Sequence, residues 1–231
     1  MEVTPSSDLL ANSLYDQKRV RLFKRAAKII KVLLFCVSVL LSIIVAAYAI
    51  ALPFQEPVGS LQSRLAALPP VFFWSHVFAG AIASLLVPFQ ILTINKRIGW
   101  HRLAGKLYVC SVMLSAMGGY YMAWNAYGGL SSTIALTLLA TLWWLSTLIA
   151  VMAIFQGNVA KHKIWMIRSM ALTTAAITLR LLSPIFSFWL EPETAQISLY
   201  WSCWIINGLA VEIWFYIRRN HRASNRVLAS G

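Results

Sequence analysis

Few side chains inside the long apolar runs of this sequence can hold a proton, a metal or an anion. His101 and His162 each stand at the beginning of such a run. Two imidazoles at a similar depth in a helical bundle can supply both axial ligands of a haem iron. The pair therefore predicts a b-type haem site. The alternative is that both histidines contact lipid headgroups, neighbouring carbonyl groups or water.

A second group of polar residues lies further inside the runs. An ionisable side chain within a membrane is costly unless it is paired or faces a wet interior. Helical spacing of about 100° per residue puts Thr173 and Arg180 on one face of a helix, and His76 and Gln90 on one face of another. The sequence predicts a ligand pocket of these four residues, for a quinone headgroup or an anionic small molecule. The alternative is that they join helices by hydrogen bonds.

Arg168 and Glu212 fall near the inner ends of two apolar runs, each about one helical turn from the predicted membrane surface. Opposite charges at one depth offset each other's cost of burial. We therefore predict a structural ion pair between them. The alternative is that the Arg168 side chain extends to the lipid headgroups.

The composition argues against a soluble enzyme and a nucleic-acid-binding protein. Hydrophobic residues make up 59% of the chain and charged residues only 12%, against about 25% charged residues in soluble domains. The formal charge is +13, but the basic residues separate apolar runs and do not form one patch. The three cysteines show no Cys-x-x-Cys spacing, and no nucleophile has a recognisable base nearby. We predict no nucleic-acid partner, no metal cluster and no enzymatic activity.

The elements that must position these residues are six apolar runs. A helix needs about 20 residues to cross a bilayer core of about 30 Å. The sequence therefore predicts an all-α, polytopic membrane helical bundle over residues 32–217, with basic segments at 1–31 and 218–231. The predicted spans are Val32–Leu52, Val71–Ile94, Leu107–Tyr127, Thr133–Phe155, Ile164–Trp189 and Ile197–Ile217.

Lys and Arg residues between the spans lie almost entirely on one side of this arrangement. Because basic segments resist translocation, that side is predicted to be cytoplasmic, with both termini inside. Arg64 alone falls in the opposite loops. The lipid bilayer is the expected partner, and a bacterial inner membrane the expected location. The basic residues on the inner side are Lys18, Arg19, Arg21, Lys24, Arg25, Lys28, Lys31, Lys96, Arg97, Arg102, Lys106, Lys161, Lys163, Arg218, Arg219, Arg222 and Arg226.

Four short motifs carry a resemblance to a known family. They are Ser75-His76, His101-Arg102-x-x-Gly105-Lys106-x-Tyr108, His162-Lys163-x-Trp165-Met166-x-Arg168-Ser169 and Thr178-x-Arg180. Together they resemble the bacterial membrane-protein family catalogued as domain of unknown function 2306 (DUF2306), over about residues 72–189. The resemblance implies a multi-pass membrane fold and no particular reaction.

The histidines also give a looser resemblance to the four-helix haem cores of the cytochrome b561 type. In those proteins spans two and four hold one haem and spans three and five the other. His101 and His162 match the inner pair, and His76 matches one outer ligand. The fourth span contains no histidine, so the resemblance implies at most the inner haem.

Three functions remain open on the sequence. The first is electron transfer through haem b on His101 and His162. The second is transport of a small anion or of protons through the predicted His76–Arg180 pocket; no clearly broken helix is predicted, and Pro88 and Pro184 are the only expected kinks. The third is a non-catalytic accessory or sensory subunit whose polar groups hold the bundle together.

Overall fold

The structure, a computed structural model, describes residues 7–51, 69–94 and 99–230. All regular elements in those ranges are helices, so the predicted all-α membrane bundle is confirmed. The predicted first outer loop, with Glu56 and Arg64, lies outside the described residues. The helices are α1 (Ser7–Ala51), α2 (Pro70–Thr93), α3 (Gly99–Trp124), α4 (Gly129–Phe155), α5 (Val159–Thr173), α6 (Ala175–Trp189) and α7 (Pro192–Ser230).

The chain divides into two compact units, Met1–Leu41 and Ser42–Gly231. The first unit contains the N-terminal part of α1, whose described side chains are mostly exposed. The second unit contains the end of α1 and all later helices. The residues singled out by the sequence for haem or ligand binding belong to this second unit.

Each of the six predicted spans overlaps one helix or, for the fifth span, the α5–α6 pair. By length and composition, three helical segments of the described chain can cross a membrane: α2, α4 and the 31 residues Val159–Trp189. The end of α1, Phe35–Ala51, is a shorter apolar helix. The predicted crossings by α1, α3 and α7, and the inward termini, stay predictions.

Local sequence sets several helix boundaries. Pro70 occupies the first turn of α2, where its missing N–H costs nothing. Gly128 has φ +94° at the turn between α3 and α4, a conformation that only glycine adopts easily. The Asn158 side chain accepts a hydrogen bond from the Lys161 N–H and caps α5.

The core lies among α2, α3, α4 and α5. Tyr108, Val112 and Ala116 of α3 pack there against Trp143 of α4 and against side chains of the other two helices. The close approach of α2 and α3 depends on Gly118, because a Cβ atom there would lie 2.4 Å from the carbonyl oxygen of Phe72. Helix α7 packs on α4, α5 and α6.

The fifth span is broken at Thr174, between α5 and α6. No break was expected from the sequence, and the position is not a proline. Asn207 of α7 forms hydrogen bonds with groups on both sides of the break. Its Nδ2 donates to the Ala171 carbonyl oxygen (3.2 Å) and to Thr174 Oγ1 (3.1 Å). Thr178 Oγ1 donates to Asn207 Oδ1 at 2.9 Å. Pro88 and Pro184 both lie inside helices, α2 and α6.

Candidate functional site

A cavity of about 300 Å³ lies within the Ser42–Gly231 unit, bounded by residues from all seven helices. Its volume falls at the lower end of the range for small-molecule sites, about 300–1,000 Å³. Most of the wall is apolar. The polar residues that line it are His76, Ser115, Asn125, Thr173, Arg180 and Tyr200.

His76 is held tightly where α2 meets α3. Its Nδ1 donates to the Ser115 carbonyl oxygen at 2.9 Å, and Ser115 Oγ donates back to the His76 carbonyl oxygen at 2.9 Å. A carbonyl oxygen only accepts, so Nδ1 carries the hydrogen and Nε2 of the neutral ring is an acceptor. Gly119 leaves room for the ring, since a Cβ atom there would lie 3.2 Å from Nδ1. His76 can therefore accept one hydrogen bond from a ligand.

Arg180 stands on α6, six residues after the break, and lines the same cavity. Its Nη1 donates to the Ala176 carbonyl oxygen at 2.9 Å, and its guanidinium carbon lies 5.4 Å from the centre of the Tyr48 ring. Neither partner is acidic. Within the described chain, the ion pair of the structure is a different one, Arg168 with Glu212. Arg180 thus keeps its charge and most of its donors.

A chain of hydrogen bonds leads from the cavity wall into the core. Trp143 Nε1 donates to Thr173 Oγ1 at 2.9 Å. The Tyr108 hydroxyl lies 2.6 Å from Thr173 Oγ1 and 2.8 Å from Ser169 Oγ, which lies 2.6 Å from Thr147 Oγ1. All five residues are buried. Thr173 is therefore committed to this cluster, although it also borders the cavity.

The predicted inner pair is oriented by hydrogen bonds at Nδ1. His162 Nδ1 donates to the Ala150 carbonyl oxygen at 2.9 Å. His101 Nδ1 lies 2.8 Å from Thr93 Oγ1, whose own hydrogen goes to the Phe89 carbonyl oxygen. The His101 nitrogen is therefore the donor, and Nε2 of each neutral ring is left as an acceptor or ligand.

His101 lies before the predicted third span and is partly buried. Burial lowers the pKa of His101 below the usual value for histidine, and the electrostatic influence of His162 and Lys163 lowers it further. The neutral form, which can ligate a metal, is thereby favoured.

The structure brings together three of the four predicted pocket residues, His76, Thr173 and Arg180. Gln90 lies instead beside the inner pair, where its buried Nε2 donates to the His101 carbonyl oxygen at 3.1 Å. Among the described residues, no group of three or more His, Cys, Asp or Glu side chains could hold a metal ion. A haem iron needs only two such ligands.

Arg168 and Glu212 form the pair that their depth suggested. Arg168 Nε and Nη2 donate to the two carboxylate oxygens of Glu212, at 2.7 and 3.0 Å. The Arg168 guanidinium also stacks over Trp165, 4.6 Å from the ring centre. These contacts join α5 to α7 away from the cavity.

Reasoning from the sequence assigned no specific role to two important residues. Ser115, which holds His76, falls on the face of α3 that also carries His101, and this spacing was a usable signal. Asn207 holds the broken span together. The only indication of this role in the sequence is a polar amide within an otherwise apolar run, and this does not identify the groups that the amide bonds.

An all-helical membrane bundle with a mostly apolar cavity is the class of protein that this fold and site define. The chain belongs to the family described as predicted membrane protein (DUF2306), whose model matches residues 73–215. The match continues past residue 189 into α7 and includes the whole cavity wall apart from Val45 and Ala49 of α1. No curated protein and no solved structure gives a significant match.

Proposed function

We propose that the protein carries a small anion across the membrane and that the cavity is its binding site. The observation that carries this proposal is Arg180, a cation without an acidic partner among the described residues, placed beside the break in the fifth span. The proposed location is the cytoplasmic membrane of a bacterium, with the basic ends inside.

The break itself supports a transport function. Transporters commonly bind their substrates at discontinuous helices near the middle of the membrane, where half-helix N-termini attract anions. Ala175 and Ala176 form the N-terminus of α6, and both border the cavity. The polar end of α6 and the Arg180 guanidinium therefore favour the same sign of ligand charge.

Uptake by reconstituted protein tests the proposal. Benzenesulfonate is a suitable probe because it stays ionised and crosses plain bilayers slowly. Proteoliposomes should accumulate it faster than empty liposomes. Ala140→Trp should abolish the difference, because Ala140 lines the cavity and the indole would fill it. Ala210→Trp, at an exposed position of α7, is the matched control and should transport normally.

Leu136→Trp adds less volume to the same wall and guards against misfolding of the first variant. Both variants are compared with the parent by gel filtration. Uptake that is unchanged in a folded Ala140→Trp protein would exclude this cavity as the route. Equal uptake by proteoliposomes and empty liposomes would leave no support for carriage of this anion.

A second candidate is electron transfer through a haem b held by His101 and His162. The observation in its favour is that both rings use Nδ1 for hydrogen bonds to the protein, the arrangement that orients histidine ligands of metals. Bound haem would supply one-electron chemistry. Tyr108 and Met166, two turns and one turn further along α3 and α5, are buried, and the case for haem rests on the two imidazoles.

An absorption spectrum tests the second candidate. Protein expressed with ample haem should show a Soret band, and His101→Ala and His162→Ala should each remove or shift it. His76→Ala, at the cavity, should leave the band unchanged. A colourless parent protein would rule out this function.

A further inference from the structure

The hydrogen-bond donors at the cavity are distributed unevenly. The Trp143 indole donates to Thr173, and Nδ1 of His76 donates to the Ser115 carbonyl oxygen. Asn125 Nδ2 donates to the Tyr121 carbonyl oxygen. Arg180, by contrast, has five N–H donors and one hydrogen bond among the described residues, to Ala176. The Tyr200 hydroxyl also borders the cavity, but most of the unused donors, four of the five N–H groups, are at Arg180.

This distribution favours an anionic headgroup over a quinone. A quinone is neutral and offers two opposed carbonyl oxygens, so it needs donors at both ends of its ring. A carboxylate or sulfonate offers several acceptor oxygens on one atom, which suits the planar fork of one guanidinium. It also neutralises the charge of Arg180, which Tyr48 and Ala176 leave uncompensated.

The remainder of the wall favours an apolar body on that anion. Val45 of α1, Leu136 and Leu139 of α4, Leu172 of α5 and Leu179 of α6 all face the cavity. A bare inorganic anion would lose its hydration against these side chains without burying any apolar surface. A compact hydrocarbon group would gain free energy there by leaving water.

We infer that the cavity binds an amphipathic monoanion, an aromatic or branched aliphatic carboxylate or sulfonate, with its oxygens on Arg180 and its hydrocarbon body against the leucine-rich wall. This inference rests on the proposed transport function and specifies its substrate class. In its neutral form His76, which lines the cavity, adds one acceptor through Nε2, which suits a substrate that also carries a hydroxyl group.

Binding of three matched probes to the full chain in uncharged detergent tests the inference. Benzenesulfonate has both the charge and the ring, benzenesulfonamide has the ring without the charge, and nitrate has the charge without the ring. Calorimetry should give benzenesulfonate at least about tenfold tighter binding than either other probe, because charge-assisted hydrogen bonds and apolar burial each contribute.

Substitutions locate the headgroup. Arg180→Gln should remove the preference for benzenesulfonate over benzenesulfonamide, whereas Arg180→Lys should retain part of it, since the charge remains without the fork. Arg218→Gln is the matched control, because Arg218 also lies over an aromatic ring, 4.4 Å from the centre of Trp214, but not at the cavity. The control should bind all three probes as the parent does.

The outcomes separate this inference from the proposed function. Equal binding of benzenesulfonate and benzenesulfonamide would overturn the substrate class and leave the cavity as a binding site. Tighter binding of nitrate than of benzenesulfonate would overturn the proposed substrate class but would remain consistent with anion transport. A phospholipid retained in native mass spectra of the parent but lost in Arg180→Gln, and not displaced by benzenesulfonate, would also overturn the inference. Failure of all three probes to bind would count against both.

Discussion

Arg180 and His76 differ in how firmly the protein holds them. This difference indicates which of the two residues responds to a ligand and which one forms a fixed part of the cavity wall. His76 is fixed by two reciprocal hydrogen bonds with Ser115, which makes it a rigid part of the wall. Arg180 has one hydrogen bond, to its own helix, and a ring contact. A side chain with unused donors can reorganise around a ligand, so Arg180 is the residue expected to respond to occupancy.

The Tyr108 hydroxyl is expected to support the fold. Tyr108→Phe removes its contacts with Ser169 and Thr173, both buried. The free energy of unfolding should fall by about 1 kcal/mol, the usual size for hydrogen bonds between membrane helices. Titration with a denaturing detergent measures this change. Tyr216→Phe, at an exposed position, should have no effect, and a parent-like Tyr108→Phe would contradict the role of the cluster.

At the scale of the elements, two helix pairs are joined in different ways. Helices α2 and α3 approach closely because α3 presents glycine to the backbone of α2. Helices α5 and α6 meet end to end at Thr174 and are held by side-chain bonds from α7. The first junction resists change by close packing. The second depends on these side-chain bonds and on backbone bonds through Thr174, so local opening is expected to be easier there than at the first junction.

Gly118→Ala tests the close packing of α2 on α3. The added methyl group would meet the Phe72 carbonyl oxygen, so we expect a loss of about 1–3 kcal/mol in the free energy of unfolding. Gly208→Ala in α7 is the matched control, because a Cβ atom there meets nothing within 4 Å. The control should be neutral or stabilised by up to about 1 kcal/mol. Equal effects of the two substitutions would argue against the close approach.

Asn207→Ala tests the junction between α5 and α6. The substitution removes the amide that holds Ala171, Thr174 and Thr178 together. Backbone amides around the break should then exchange with deuterium faster, as local opening becomes easier. Asn220→Ala, at an exposed position near the end of α7, should leave exchange at the break unchanged. Unaltered protection in Asn207→Ala would mean that the break does not depend on this side chain.

At the scale of the whole molecule, membrane insertion is the property that the composition determines most strongly. Apolar run lengths predicted the helices, and the family match covers α2 to most of α7. The orientation follows from charge alone, since Lys and Arg flank the runs on one side. Two reporter proteins at two positions can check that orientation.

The predicted topology has both termini in the cytoplasm and the α6–α7 turn outside. Green fluorescent protein fused after Gly231 should fluoresce, and alkaline phosphatase at the same point should be inactive. After Glu191, in the α6–α7 turn, the two reporters should behave in the opposite way. The reverse pattern at either position would refute the charge-based orientation.

The cavity could be predicted in part because depth and helical face can both be counted. His76 and Arg180 lie at similar depth, and Thr173 shares a face with Arg180, so their meeting followed from about 100° and 1.5 Å per residue. Gln90 shares the face of His76 but is fourteen residues away, about 21 Å along the helix. Two residues on one face but at different depths belong to different sites. Gln90 accordingly donates a hydrogen bond to the His101 carbonyl oxygen and does not line the cavity.

The break at Thr174 could not be predicted from local sequence. No proline or glycine stands there, and Thr178 and Thr174 are ordinary residues in a helix. The hydrogen bonds that satisfy the freed groups come from Asn207, about thirty residues later in the chain. Tertiary partners of this kind are invisible to periodicity, because a period describes one helix and not its neighbours.

The buried hydroxyl cluster contains fewer hydrogens than contacts. Thr173, Tyr108, Ser169 and Thr147 make three contacts with one another, and two more reach the carbonyl oxygens of Ser169 and Trp143. Only four hydroxyl hydrogens are available for these five contacts, so one contact at a time lacks a hydrogen. A ligand that attracts the Thr173 hydrogen would shift this shortage along the cluster, so the infrared O–H band of Tyr108 becomes a reporter of an occupied cavity.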